Sequence, residues 1–158
     1  MFFTSNTHNN KLYLNKGNFK FEDITTKSGI VSEPGFNTGV TIADVNNDGF
    51  VDIYVSRGGW DDSNNKFANK LYVNNGNLTF TEKAEELGIA DKNRSINAVF
   101  FDYDNDNDVY LYVSNTPYNA DPTGATDCLA GIQKAVNDGT NYATIEEFNN
   151  QVNYKNVA

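Results

Sequence analysis

The sequence is poor in the residues that most often build covalent or catalytic centres. Its 158 residues include one cysteine, Cys128, and one histidine, His8. A single cysteine excludes an internal disulfide framework and cannot form a thiolate metal site by itself. Because His8 lies in a loose, asparagine-rich segment, no Ser/His/Asp or Cys/His arrangement is expected. We therefore expect a protein that is not an enzyme.

Positive charge and long apolar runs are also scarce. The chain has 12 Lys and Arg against 21 Asp and Glu, a formal net charge of -9. This balance repels nucleic acid and anionic membranes, so neither is an expected partner. No apolar run approaches the roughly 20 residues of a membrane span. The first ten residues also lack the features of a secretory signal, which predicts either a cytosolic protein or a chain whose true beginning is missing.

What the sequence does contain favours strands and turns. Hydrophobic residues make up 39% of the chain and aromatic residues 13%, largely Tyr and Phe, alongside many Asn and Gly. Aromatic side chains are frequent in strands, and Asn and Gly are frequent in turns. The length suits one compact domain, so we expect one mainly β domain.

Two stretches of the chain recur with one spacing. "NKLYLNKGNFKFEDITTKSGI" (Asn10 to Ile30) matches "NKLYVNNGNLTFTEKAEELGI" (Asn69 to Ile89), an offset of 69 - 10 = 59. "VTIADVNNDGFVDIYVS" (Val40 to Ser56) matches "AVFFDYDNDNDVYLYVS" (Ala98 to Ser114), an offset of 98 - 40 = 58. A shared period near 58 residues indicates a repeat architecture.

Each unit is predicted to hold four short strands. The predicted strands are Thr38 to Asp44, Val51 to Arg57, Lys70 to Asn74 and Leu78 to Lys83. The second strand alternates apolar and polar side chains, as in a sheet with unlike faces. "NNDG" and "NNG" are turn signals between strands. Four antiparallel strands in meander order, repeated along the chain, predict about two β-propeller blades, which is only part of a propeller.

The paired motifs "DVNNDGFVDIYV" and "NKLYVNNGNLTF" resemble the FG-GAP/VCBS type of repeat, known from integrin-α-like propellers. The resemblance covers about residues 1–115. It implies a propeller, usually of seven blades, with calcium in the loop between the first two strands of a blade. It also implies adhesion or ligand binding, although a fold alone does not fix a function.

The chemistry of the first acidic loop independently predicts calcium. The predicted ligands are the side chains of Asp44, Asn46, Asp48 and Asp52 and the main-chain carbonyl of Phe50. The four side chains stand at positions one, three, five and nine of the loop, and the carbonyl at position seven. All are hard oxygen ligands of the kind that calcium binds. Gly49, at position six, provides for a sharp reversal with positive φ. An EF-hand is excluded because its twelfth position should be Glu, whereas this loop has Val55 there. The alternative is an ordinary Asp/Asn-rich turn without metal.

The second acidic loop keeps only part of this pattern. Its candidate ligands are Asp102, Asp104, Asp106 and Asp108. Asn107 replaces the glycine, and a turn survives because Asn tolerates positive φ. Tyr110 replaces the last carboxylate, and a neutral phenol is a poor ligand. We expect this site to be weaker or free of metal.

Meander order places a second set of loops on the side opposite the acidic loops. The candidate ligand-binding residues there are Trp60, Asp61, Asp62 and Arg94. Trp60 can stack on a sugar or a peptide, and the charged residues can supply polar contacts. The alternative is that Trp60 packs on its own blade and that the charged residues form a solvated rim.

After Asn119 the repeat stops. Residues 1–118 are predicted to form the repeats, and residues 119–158 a helical tail. "TDCLAGIQKAVNDG" has apolar residues at helical spacing, and "TIEEFNNQV" opens with capping-box spacing. The tail is either an insertion in the loop between the second and third strands of a blade or an independent capping element.

Two functions remain open. The first is a calcium-stabilised propeller segment of an extracellular or cell-envelope protein that acts in adhesion or ligand binding, with a protein or glycan as ligand. The second is an accessory segment of a secreted polysaccharide-active enzyme with catalytic residues elsewhere. Since repeat stacks generally need three or more units, the further partners are the remaining blades of a longer chain or copies of this chain.

Overall fold

The computed structural model of the protein describes residues 1–31, 35–58, 67–102, 105 and 107–116, and the backbone of residues 130–134. Ten strands and one short helix lie in these ranges. The strands are β1 (Phe2–Phe3), β2 (Lys11–Asn15), β3 (Phe21–Asp23), β4 (Phe36–Ala43), β5 (Asp52–Gly58), β6 (Lys70–Asn74), β7 (Phe80–Glu82), β8 (Arg94–Phe101), β9 (Tyr110–Thr116) and β10 (Ala130–Lys134). The helix, α1, spans Thr25–Ser28 and was not predicted.

The strands form three antiparallel sheets, which confirms the predicted mainly β fold. Sheet one has the order β1-β2-β3, sheet two β4-β5-β6-β7 and sheet three β8-β9-β10. Sheet two shows the predicted four-stranded unit in meander order. The predicted bounds of its third strand match β6, whereas the other three strands differ from prediction by one to two residues at an end.

The helix predicted within "TDCLAGIQKAVNDG" is wrong for the described segment. Ala130–Lys134 is a strand that pairs with β9, with Ile132 opposite Tyr112. An edge strand offers a row of unpaired N–H and C=O groups, and pairing with that row outweighs a short stretch of helical spacing. The predicted helix near residue 144 lies outside the described residues. The proposed division at residue 118 stays a prediction.

The central strands of sheet two, β5 and β6, are covered on both faces. Ile53, Val55 and Tyr72 pack with sheet one, around Leu12 and Ile24. The intervening side chains Tyr54 and Leu71 pack the other way, with Leu111 and Val113 of sheet three. Every residue of β5 is buried. The face of β5 that reads as polar in the sequence is therefore covered by the next sheet rather than by water.

An asparagine repeated in "NKLY" connects each sheet to the next. Asn69 is fully buried, and its Oδ1 accepts a hydrogen bond from the backbone N–H of Arg57 at 2.6 Å. Its Nδ2 donates to Ser95 Oγ of sheet three at 2.8 Å. The equivalent Asn10 accepts from Ser5 N–H at 3.0 Å and from Asn37 Nδ2 of sheet two at 3.2 Å. The same side chain thus ties the end of one sheet to the first strand of the next.

Sheets two and three also approach closely at their first strands. The Thr38 hydroxyl donates to the carbonyl of Ser95 at 2.7 Å. A Cβ at Gly39 would lie 2.6 Å from Asn97 Oδ1 and 3.1 Å from the carbonyl oxygen of Ile96, so glycine at this position eases the close approach. The contact holds the β4–β5 and β8–β9 loops at the same end of the molecule.

Candidate metal centre

The first acidic loop, residues 44–51, is closed by its own carboxylates. Asp44 accepts hydrogen bonds from the backbone N–H of Asp48 at 3.0 Å and from that of Gly49 at 2.8 Å. Gly49 has the predicted positive φ, at 86°. The loop therefore wraps around the Asp44 carboxylate, which stands at its first position.

Asn46 and Asp48 bring two further oxygen-bearing side chains into the same turn. Asn46 Nδ2 donates to Asp48 Oδ2 at 2.9 Å, and Asp48 N–H approaches Asn46 Oδ1 at 3.3 Å. The other carboxylate oxygen of Asp48 accepts from Phe50 N–H at 2.8 Å. Both side chains are exposed, so an ion from solvent can reach them.

Asp52 lies beneath the loop and is fully buried. Its carboxylate accepts from the N–H of Val45 at 2.9 Å and from the N–H of Asn74 at 2.8 Å. It thus joins the acidic loop to the end of β6. Burial raises the pKa of Asp52 above its ordinary value, and the nearby charges of Asp48 and Asp44 raise it further. A positive ion in the loop would favour the charged carboxylate and so lower the pKa of Asp52 again.

The donor set suits calcium in its chemistry. It consists of carboxylate, amide and carbonyl oxygens, which are the ligands that calcium prefers. Each carboxylate oxygen has two lone pairs, so one N–H bond leaves one lone pair for a cation. Among the residues that the structure describes, however, no group of three or more His, Cys, Asp and Glu side chains is placed to hold a metal. The predicted centre thus depends on the amide of Asn46 and the carbonyl of Phe50 as well.

The second acidic loop repeats the turn but not the buried carboxylate. Asp102 accepts from Asn105 N–H at 2.8 Å and from Asn107 N–H at 3.0 Å, and the second of these bonds is equivalent to the bond between Asp44 and Gly49 N–H. Asn107 has φ 70°, as predicted for the glycine position. Tyr110 occupies the position of Asp52 and is buried. Asp104 and Asp106 lie outside the described residues, and the role of Asp108 stays a prediction.

The two acidic loops are in direct contact. Asn47 Nδ2 of the first loop donates to the carbonyl of Asn107 in the second at 3.0 Å. Phe50 lies over Gly76 in the β6–β7 turn, where its ring would come within 2.7 Å of an added Cβ. The predicted grouping of these loops on one side of the molecule is confirmed for the described residues.

The candidate ligand site on the opposite side is described only in part. Trp60, Asp61 and Asp62 lie outside the described residues. Arg94 begins β8 and is half-buried. Arg57, near the end of β5, is only 2% exposed, and its guanidinium carbon lies 5.4 Å from the centre of the Phe67 ring. The sequence did not predict the burial of Arg57 or the linking role of the asparagine in "NKLY". For the asparagine, the recurrence of "NKLY" was the available signal.

These features define the class of the protein: antiparallel sheets of three or four strands that recur with a period near 58 residues and pack face to face. Residues 1–55 match the model of the family described as the FG-GAP-like repeat. The chain thus carries a repeat of this family, which confirms the family predicted from the sequence.

One curated relative is Cartilage acidic protein 1 of Xenopus tropicalis. It is 32% identical to this chain over 111 residues, which is 69% of this chain and 16% of the relative. The chain therefore spans only a small part of the relative's length. No helix in the described part of the chain is long and apolar enough to cross a membrane.

Proposed function

We propose that this chain is a calcium-stabilised segment of a β-propeller that lies outside the cell or in the cell envelope and acts in adhesion or ligand binding. The observation that carries the proposal is the first acidic loop, in which Asp44, Asn46 and Asp48 share one exposed turn above the buried Asp52. The ion would be structural, since it would neutralise charge in a turn that joins two strands.

The proposed setting is supported by ion availability and by the comparisons. Extracellular calcium modules bind at about 10⁻⁴ to 10⁻³ M, so they are occupied only where calcium is abundant. The FG-GAP-like repeat supports a recognition module, and a relative named for cartilage fits an extracellular setting. We propose no catalytic role. The ligand would be a protein or a glycan.

Calcium is expected to raise the melting temperature of the protein. With roughly 10 mM calcium and the affinity above, binding to the folded state alone contributes about 1.4 to 2.7 kcal/mol. For a chain of this size, that corresponds to a shift of roughly 3 to 10 °C. Thermal unfolding followed by circular dichroism, in a chelator and then in calcium, measures this shift. Magnesium at the same concentration serves as the ionic control.

Two variants separate site binding from general charge screening. Asp44→Asn replaces the charged carboxylate at the first ligand position with a neutral amide, so the calcium-dependent shift should become much smaller when the variant is compared with itself in chelator. Glu85→Gln removes the same charge from an exposed position outside the loop and should keep the full shift. An equal calcium shift in wild type and in Asp44→Asn would contradict the proposed site.

A further inference from the structure

The bond between the two acidic loops comes from a side chain that is not a candidate ligand. Asn47 stands at position four of the first loop, between the candidate ligands Asn46 and Asp48. Its side chain reaches the second loop instead, where Nδ2 donates to the carbonyl of Asn107 at 3.0 Å. Because Asn47 is joined through its backbone to both neighbouring ligands, any constraint on those ligands also constrains this donor.

The backbone at Asn47 has a left-handed conformation that few residues accept. Its φ is 55°, and Asn105, at position four of the second loop, has φ 60°. At position six the values are 86° for Gly49 and 70° for Asn107. The two loops thus share one backbone conformation at these positions. Asn tolerates it better than most residues, so at position four of the first loop Asn supplies both the conformation and the amide that reaches the second loop.

The acceptor of this bond belongs to the turn that encloses Asp102. The backbone N–H of Asn107 donates to the Asp102 carboxylate at 3.0 Å, and the N–H of Asn105 donates to the same carboxylate at 2.8 Å. Asn107 therefore has one backbone group bonded within each loop: its N–H to Asp102 in its own loop and its carbonyl to Asn47 in the first loop. A change in the bond from Asn47 acts directly on the second turn.

We propose that Asn47 couples ion binding in the first acidic loop to the order of the second acidic loop. Once Asn46 and Asp48 are held by an ion, the amide of Asn47 between them has less freedom to lose, so its bond to Asn107 forms at a lower cost in entropy. By thermodynamic linkage, this bond strengthens ion binding in the first loop by the same factor. The net strength of one hydrogen bond limits that factor to roughly 2- to 10-fold.

The coupling extends the proposed calcium site, on which it rests, from one turn to the contact between two sheets. The first loop joins β4 to β5 in sheet two, and the second loop joins β8 to β9 in sheet three. An ion in the first loop would therefore order a turn of the next sheet, although that turn has Tyr110 in place of the buried carboxylate. The two loops would respond to calcium together, with one ion.

Backbone amide hydrogen exchange, followed by nuclear magnetic resonance during a calcium titration of the full chain, tests the coupling. In wild type, calcium should slow exchange of the Gly49 amide in the first loop and of the Asn107 amide in the second, with one shared midpoint. In Asn47→Gly the Gly49 amide should still respond, whereas the response of Asn107 should be lost. The calcium affinity of the first loop should fall roughly 2- to 10-fold. Glycine accepts the positive φ, so the variant removes the donor without straining the backbone.

Asn105→Gly is the matched control, because it makes the same change at position four of the second loop. The Asn105 side chain is exposed, and the bond from Asn47 to Asn107 is left in place. This variant should keep the calcium response of both amides. If Asn105→Gly loses the Asn107 response as fully as Asn47→Gly does, loop flexibility rather than the amide bond is responsible, and the proposal is overturned.

Asp48→Asn separates the coupling from ion binding by the second loop itself. The variant weakens the first site, so Gly49 and Asn107 should both lose most of their response at the calcium concentration that saturates wild type. An Asn107 response that survives in Asp48→Asn or in Asn47→Gly would overturn the proposal. In wild type, a response of Gly49 without one of Asn107 would overturn the coupling and leave the metal site standing, whereas no response at Gly49 would remove both.

Discussion

Replacing Asn69 with alanine is expected to lower the free energy of unfolding by about 3 kcal/mol. Asn69 is fully buried and joins Arg57 N–H of β5 to Ser95 Oγ of β8. Its removal leaves a backbone donor and a hydroxyl unpaired away from water, each at about 1 to 3 kcal/mol. It also opens space between sheets two and three. Urea denaturation followed by circular dichroism measures the loss.

Asn77→Ala is the matched control for this prediction. Asn77 also accepts two hydrogen bonds, from the N–H and the hydroxyl of Thr79, but it is exposed on the β6–β7 turn. Water replaces the lost partners there, so the expected loss is below about 1 kcal/mol. Asn10→Ala, at the equivalent joint between sheets one and two, should fall between these values. Equal losses for Asn69 and Asn77 would show that the joint does not depend on the buried amide.

Replacing Asp52 with alanine is expected to cost about 2 to 3 kcal/mol at neutral pH in chelator. The carboxylate accepts from Val45 N–H and Asn74 N–H, and both donors lose their partner in the variant. Part of the loss is offset because a buried charge near Asp44 and Asp48 is removed as well. Asp48→Ala, which removes an exposed charge from the same loop, should cost less than about 1 kcal/mol.

The cost of Asp52→Ala should also depend on pH. The pKa of Asp52 in the folded protein is raised above its ordinary value of 3.8, first by burial. The folded protein therefore holds this proton more tightly than the unfolded chain does, and wild type loses stability relative to the variant as pH rises through the folded pKa. Stability curves of both proteins in chelator, from acid to neutral pH, should converge. A gap that widens with rising pH would contradict a raised pKa.

Local patterns in the sequence predicted the strands and turns of the repeat well. The alternation of side chains and the turn residues placed β6 and the meander of sheet two. The positive φ values of Gly49 and Asn107 followed from residue type, because few residues accept that conformation. Such features depend on neighbours in the chain, so one sequence is enough to predict them.

Features set by contacts between sheets were not predicted. The polar face of β5 was expected to differ from its apolar face, yet both are buried because sheets pack on each side. The segment Ala130–Lys134 carries helical spacing but pairs as a strand with β9. Asn69 gave a signal only through its repetition in "NKLY". In each case a distant partner decides the outcome, and local spacing does not reveal that partner.

The claim that the first acidic loop binds calcium is tested most directly by following backbone amide signals in a nuclear magnetic resonance titration. We predict that the amides of Asp48, Gly49 and Phe50 shift and saturate with calcium below about 10 mM. These N–H groups are bonded to the carboxylates of Asp44 and Asp48, so they report on the ligands themselves. Amide shifts that are absent there, or that grow without saturation across all acidic residues, would contradict the account.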